Sequence, residues 1–271
     1  MTIKKVRISK ISALHYYKLF FRSALFLAAL ICYIFIRIEY PKMTFDTFMQ
    51  ERHSIITISI IGVIFIIEML LRFFPSSIES MGCQKQFKRN YIEESPEAPI
   101  PSRWRSTLAV ALAWIGLNGV IGVLYFVGLI DAGILILISL LFSICDMICI
   151  LFFCPFQTWF MKNKCCGSCR IYNWDYAMMF TPLIFIPNVY TYTVLGIAIL
   201  LLITWEISYA MHPERFSEAK NACLSCANCK EKLCHHKKQL RSFLKKHREI
   251  LILKGNTVIE KAKNKFSKNR K

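Results

Sequence analysis

The chain has 271 residues, of which 55% are hydrophobic, and its formal net charge is +18. The apolar residues come in blocks of about twenty rather than at 3.6-residue periods, which excludes an ordinary soluble domain and points to helices that cross a bilayer. Most of the charge lies in the tail and no folded nucleic-acid motif accompanies it, so the expected partner is anionic lipid at the membrane surface rather than a specific nucleic acid.

Residues 1–18 carry Lys4, Lys5, Arg7, Lys10 and Lys18 and lead into an apolar run from about Leu19 to Ile38. That run is long for the core of a signal peptide and no small-residue cleavage site follows, so it reads as a retained span. Its basic flank places the N-terminus in the cytoplasm. A second span is expected from about Ile55 to Phe74. Glu68 and Arg72 lie near its inner end, four residues apart, and are expected to pair with each other at the interface. The basic, proline-containing stretch 75–106 then reads as a cytoplasmic loop.

Residues 107–127 and 132–153 form two spans joined by a tight turn. Gly116, Gly119 and Gly122 suggest close helix packing, and Asn118 an interhelical hydrogen bond. Asp146 is a carboxylate within the second of these spans, open both to a functional and to a packing role. The last apolar stretch, Ala177 to Met211, is about 35 residues long, which is long for one helix and short for two full spans. Pro182, Pro187 and Asn188 interrupt it. The expectation is a short or half-length helix over Ala177–Ile186 followed by a full span over Val189–Tyr209, which returns the basic tail to the cytoplasm. Five plain spans with an outside tail remain the alternative. Leu240, Phe243, Leu244, Ile250 and Leu251 recur among basic residues and predict an amphipathic helix in the tail.

Cysteine carries the chemistry. Of twelve cysteines, Cys32, Cys145 and Cys149 lie in apolar runs, as small core residues do, and Cys83 stands by itself in a basic loop. The other eight form two polar groups: Cys154, Cys165, Cys166 and Cys169, then Cys223, Cys226, Cys229 and Cys234. Paired Cys-x-x-Cys spacing places thiolates one turn apart, the usual half of a metal site. Lys164, Arg170, Lys230 and Lys232 nearby would favour the thiolate form.

Three readings stay open. Cys223-x-x-Cys226-x-x-Cys229 resembles the first ligands of a bacterial ferredoxin cluster, completed there by a cysteine before proline, and Cys154-Pro155 is such a dipeptide. On that reading Cys154, Cys223, Cys226 and Cys229 hold an iron–sulfur cluster that passes electrons to a redox partner the residues do not identify. Alternatively, a pair from each group holds one zinc ion that ties tail to loop. The third reading is dithiol chemistry at Cys165-Cys166, or disulfides if that face is extracytoplasmic. His235 and His236 read as surface residues, and Trp159, Tyr172, Trp174 and Tyr176 as interfacial anchors. There is no Asp-His-His-Cys core of a protein acyltransferase, no phosphate-binding loop and no His-Glu-x-x-His.

The run Cys165-Cys166-x-x-Cys169-Arg170-Ile171, then Asn173-Trp174-Asp175, Met178-Met179-Phe180-Thr181-Pro182-Leu183 and the tail Cys229-x4-Cys234-His235-His236-Lys237, resembles a group of bacterial multi-pass membrane proteins with no assigned activity. The resemblance implies a bacterial inner-membrane location and no particular reaction. The expected architecture is therefore all-α, with five to six membrane segments over residues 1–211 and a basic cytoplasmic tail over 212–271.

Overall fold

The computed structural model of the protein describes residues 10–40, 52–75, 81–95, 97–100, 104–163, 166–225, 237 and 242. Among these residues the regular structure is helical, apart from an antiparallel bridge between Glu93 and Asn221. The long helices are α1 (Lys10–Glu39), α2 (Arg52–Leu70), α3 (Trp104–Phe126), α4 (Ala132–Leu151) and α5 (Val189–Met211). Four of them, α1 from Ser12 onward, α3, α4 and α5, are long and apolar enough to cross a membrane, while the apolar part of α2 runs from Ile58 to Leu70. The residues on which the tail helix was predicted, Leu240, Phe243, Leu244, Ile250 and Leu251, lie outside the described residues.

Large apolar side chains face outward along these helices: Phe20, Ile31 and Phe35 on α1, Ile115 and Val123 on α3, Leu200 and Ile207 on α5. Polar side chains turn inward, with Arg22, Asn118, Ser139 and Ser143 all buried. Water would not stabilise that arrangement, whereas hydrocarbon does, because a lipid-facing helix has no cost for exposing Leu or Phe.

Helix ends follow local chemistry. Gly128 takes φ 80° in the α3–α4 turn, a conformation that suits glycine. Asp131 caps α4 by accepting the Ile134 amide at 2.9 Å, and Asn188 caps α5 by accepting the Tyr190 amide at 2.9 Å.

Contacts fix the directions of the helices. Arg22, near the start of α1, reaches Ser143 and Asp146 near the end of α4, while Tyr33 and Arg37, near the end of α1, reach Asp131 at the start of α4. The two helices are therefore antiparallel. Arg22 also meets Glu68 near the end of α2. One end of the bundle thus holds the start of α1 and the ends of α2 and α4. The end of α5 joins them there through the Phe87–Trp205 ring contact and the Arg170–Glu206 pair.

Because α4 finishes at this end and α5 starts at the other, residues 175–186 must carry the chain back across. They do so as two short helical pieces, Asp175–Phe180 and Thr181–Phe185. Asp175 pairs with Arg72 at the first end, and Phe185 touches the Tyr125 and Phe126 rings near the far end of α3. Pro182 and Pro187 explain why this is not one regular helix. The piece wedges among α3, α4 and α5, and Tyr176, Met179, Phe180 and Leu183 join the main core with Phe65, Leu135, Ala198 and Trp205.

Of the three glycines read as a packing face, only Gly122 packs as expected among the described residues. A Cβ there would lie 2.5 Å from the Phe185 ring, whereas one on Gly116 or Gly119 would meet nothing within 4 Å. Residues three apart drift by roughly 60° per step around a 3.6-residue helix, so three such glycines do not share a face. Asn118, expected to bond between helices, instead donates to the Trp114 carbonyl of its own helix at 3.0 Å. The link from α3 to the crossing piece comes from Trp114 Nε1, which donates to Thr181 Oγ1 at 3.3 Å.

Gly122→Ala is expected to destabilise the detergent-solubilised protein by about 1–3 kcal/mol through overpacking against Phe185, with Gly119→Ala near neutral. Thermal unfolding of the two variants checks this. Equal stability would mean that the 175–186 piece does not pack against α3 as described.

Candidate functional site

Arg22, Glu68, Asp146, Arg72, Asp175 and Tyr176 gather in one cluster at the end of the bundle where α4 finishes. Arg22 is at its centre. One guanidinium nitrogen donates to the Ser143 carbonyl at 3.0 Å and to Asp146 Oδ2 at 3.2 Å, and the other to Glu68 Oε2 at 3.0 Å. Glu68 also accepts from the Tyr176 hydroxyl at 2.9 Å and pairs with Lys18 at 3.2 Å. Beside this, Arg72 makes a two-pronged pair with Asp175, at 2.9 and 2.7 Å, and lies over the Tyr176 ring at 4.7 Å. A planar guanidinium fork suits such bidentate pairing.

This corrects two expectations. Glu68 and Arg72 find their partners on other elements, because Arg22, within the first apolar run, supplies the charge that Glu68 neutralises. Tyr176, read as an interfacial anchor, is 1% exposed and acts as a donor inside the protein. Asp146 takes up the packing role left open for it, as a partner of Arg22.

The segments flanking the bundle gather at the same end. Gln86 donates to the Gly167 carbonyl at 2.8 Å and accepts from Asn173 at 2.7 Å. Ser168 donates to Glu218 at 2.6 Å. Asn221 donates to the carbonyls of Lys85 and Arg215, and the Ala222 amide donates to the Ile92 carbonyl at 2.8 Å. Arg170 Nε donates to Glu206 at 3.2 Å, and Trp174 donates to the same carboxylate at 2.7 Å. Loop 81–95, loop 166–174 and segment 213–225 are thereby one polar layer across the end of the bundle.

Between this layer and the ionic cluster lies a cavity of about 120 Å³. Cys145 and Cys149 of α4 line it together with Cys154 and Cys169, and so do Asp146, Asp175, Met178 and Met179. The two α4 cysteines, read as inert core residues, are therefore part of the site. Their placement was open to inference, since α4 presents residues 145 and 149 one turn apart on one face.

Cys154 is a thiol whose surroundings favour the thiolate form. The Cys149 thiol donates to its sulfur, and so does the Gln157 amide, at 3.3 Å. Lys237 lies close enough to act on it electrostatically, and its ammonium donates to the Cys149 carbonyl at 2.9 Å. The Cys149 hydrogen bond chiefly, then the backbone donors and Lys237, outweigh burial and bring the Cys154 thiol from 9.0 down to about 7. Charge balance agrees with this. The cluster's cations are Lys18, Arg22, Arg72 and Lys237, and its carboxylates are Glu68, Asp146 and Asp175. The positive charge of Lys237 beside the cavity favours the thiolate form of Cys154.

The predicted metal ligands divide as follows. Cys154 and Cys169 share the cavity. Cys223 instead donates to the Asn90 carbonyl at 2.9 Å, within the polar layer. Of Cys166 only the backbone is described, in a short helical turn over Cys166–Ser168. Cys165, Cys226, Cys229 and Cys234 lie outside the described residues. Among the described residues no three histidine, cysteine or acidic side chains come together as a metal-binding group. Sequence reasoning missed Arg22, Glu206 and Lys237. A charge inside an apolar run was the available signal for the first two, while Lys237 gave none. No family model, no curated protein and no solved structure matches the chain.

Alkylation of Cys154, followed on its tryptic peptide, is expected to rise through a midpoint near pH 7, because the thiolate is the reactive form. Cys149→Ala removes the largest contribution and is expected to move the midpoint upward. A midpoint near 9.0 in the unaltered protein would contradict the assigned environment.

Proposed function

We propose that this is an integral metal–thiolate protein of the bacterial inner membrane, with its cysteine-bearing segments on the cytoplasmic side. In this reading the membrane domain has six segments: the five long helices and the broken crossing over 175–186. The N-terminus, with its basic flank, and the C-terminal tail then share the cytoplasmic face, as the positive-inside rule favours. Anionic headgroups hold the basic tail against that face. The metal is carried as an iron–sulfur cluster passing electrons to a redox partner, or as zinc.

The observation that carries this reading is the gathering of sulfur at one end of the bundle. Cys145, Cys149, Cys154 and Cys169 line one cavity there, and Cys223 lies in the polar layer of loop 81–95 and segment 213–225 at the same end. Partial neutralisation by Lys237 would hold thiolates ready for a metal without a large desolvation cost.

A second reading is a non-catalytic transport or scaffold protein in which zinc ties tail to loop. The hydrogen bonds from Ser168 to Glu218 and from Asn221 to Lys85 favour it, because they already join these segments.

Metal content of anaerobically purified protein tests both. A brown sample with about four iron atoms and matching sulfide per chain supports the cluster. A colourless one with about one zinc supports the staple. Protein that holds neither metal, even when reduced and offered each, rules out both the iron–sulfur and the zinc form of this function.

A further inference from the structure

Resting on the metal–thiolate reading, the geometry points to a specific ligand class for the cavity: we propose that Cys149 and Cys154 form a two-coordinate site for a soft monovalent cation, copper(I) being the natural occupant.

Donor type comes first. The carboxylates that line the cavity are already engaged. Asp146 is paired with Arg22 and Asp175 with Arg72. A hard divalent ion would have to strip a guanidinium from its partner inside the apolar layer, which is strongly unfavourable. Sulfur is what remains: the thiols of Cys145, Cys149, Cys154 and Cys169, with the thioethers of Met178 and Met179 also on the lining. Thiolate and thioether donors select copper(I) over magnesium, calcium or manganese.

Coordination number comes second. Cys149, in the last turn of α4, and Cys154, three residues past its end, line the same cavity, which puts both sulfurs within reach of one bridging ion. Among the described residues no third histidine, cysteine or carboxylate completes a group with them. Zinc in a structural site wants four ligands. A closed-shell monovalent ion is satisfied by two thiolates.

Charge comes third. Binding releases both thiol protons, so copper(I) and two thiolates carry one net negative charge. The Lys237 ammonium, which donates to the Cys149 carbonyl at 2.9 Å, stands beside that charge. Much of the rest of the lining is apolar, with Trp114, Phe142, Ile150 and Phe156. Local structure holds the pair. Cys149 is in the last turn of α4, and α4 stops at Leu151, so the chain turns and brings Cys154 back under it.

The test uses the full chain, reduced and anaerobic in detergent micelles. Copper(I) is delivered from a bathocuproine complex up to about one equivalent, and thiols are then alkylated and mapped by peptide. The site requires that Cys149 and Cys154 become protected before any other cysteine. It also requires that Cys149→Ser weaken copper(I) retention against the chelator by more than the roughly 100-fold that losing an outer hydrogen-bond partner costs a metal site. A variant with Cys165, Cys166, Cys223, Cys226, Cys229 and Cys234 changed to Ser should keep its copper. The protection experiment needs no substitution, so misfolding of a variant does not blunt it. Copper(I) that protects the loop and tail cysteines instead overturns this assignment while leaving the metal–thiolate reading intact. So does a Cys149–Cys154 pair that is a disulfide in protein purified without reductant and still takes no copper once reduced. If neither copper(I), zinc nor iron protects any thiol, both readings fall.

Discussion

A guanidinium inside hydrocarbon must be paired, and Arg22 satisfies that requirement by drawing three helices together. It lies in α1, and its partners Glu68 and Asp146 lie in α2 and α4. Helices in lipid gain little from apolar contact with one another, since lipid tails are equally apolar. Most of α1 accordingly faces outward, with few of its side chains buried. Its position is set instead by ionic contacts at both ends: Arg22 with Glu68 and Asp146 near one end, and Tyr33 and Arg37 with Asp131 near the other.

The cavity follows from that docking. Asp146 is both a partner of Arg22 and part of the cavity wall, so the pairing that fixes α1 also fixes the rotation of α4. With α4 so turned, Cys145 and Cys149 line the cavity together with the loop residues Cys154 and Cys169. On the opposite wall, Arg72 holds Asp175 and thereby the start of the broken crossing, which carries Met178 and Met179. Two guanidiniums thus shape the pocket, and they occupy the carboxylates that would otherwise make it a site for hard cations.

Much of this was legible in the sequence. Twenty-residue apolar blocks with basic flanks give the long helices, and they agree with α1, α3, α4 and α5 to within a few residues except that α1 begins at Lys10. The interruption by Pro182, Pro187 and Asn188 announced the short pieces over 175–185 and the fresh start of α5 at Val189. What the sequence concealed was partner choice. Glu68 and Arg72 satisfy the i, i+4 rule, yet each is drawn to a charge on another element, because burial raises the value of a well-aligned partner. Cys149 and Cys154 stand in different compositional settings, one apolar and one polar, and only the end of α4 at Leu151 brings them together.

The pairing of Arg22 with Asp146 is measured most directly by a double-substitution cycle on unfolding of the purified protein. Arg22→Met strands the Asp146 carboxylate, whereas Glu68 keeps Lys18 and Tyr176. The expected loss is about 3–5 kcal/mol, and adding Asp146→Asn should restore most of it. Independent effects that simply add, or an Arg22→Met protein as stable as the original, would contradict the account.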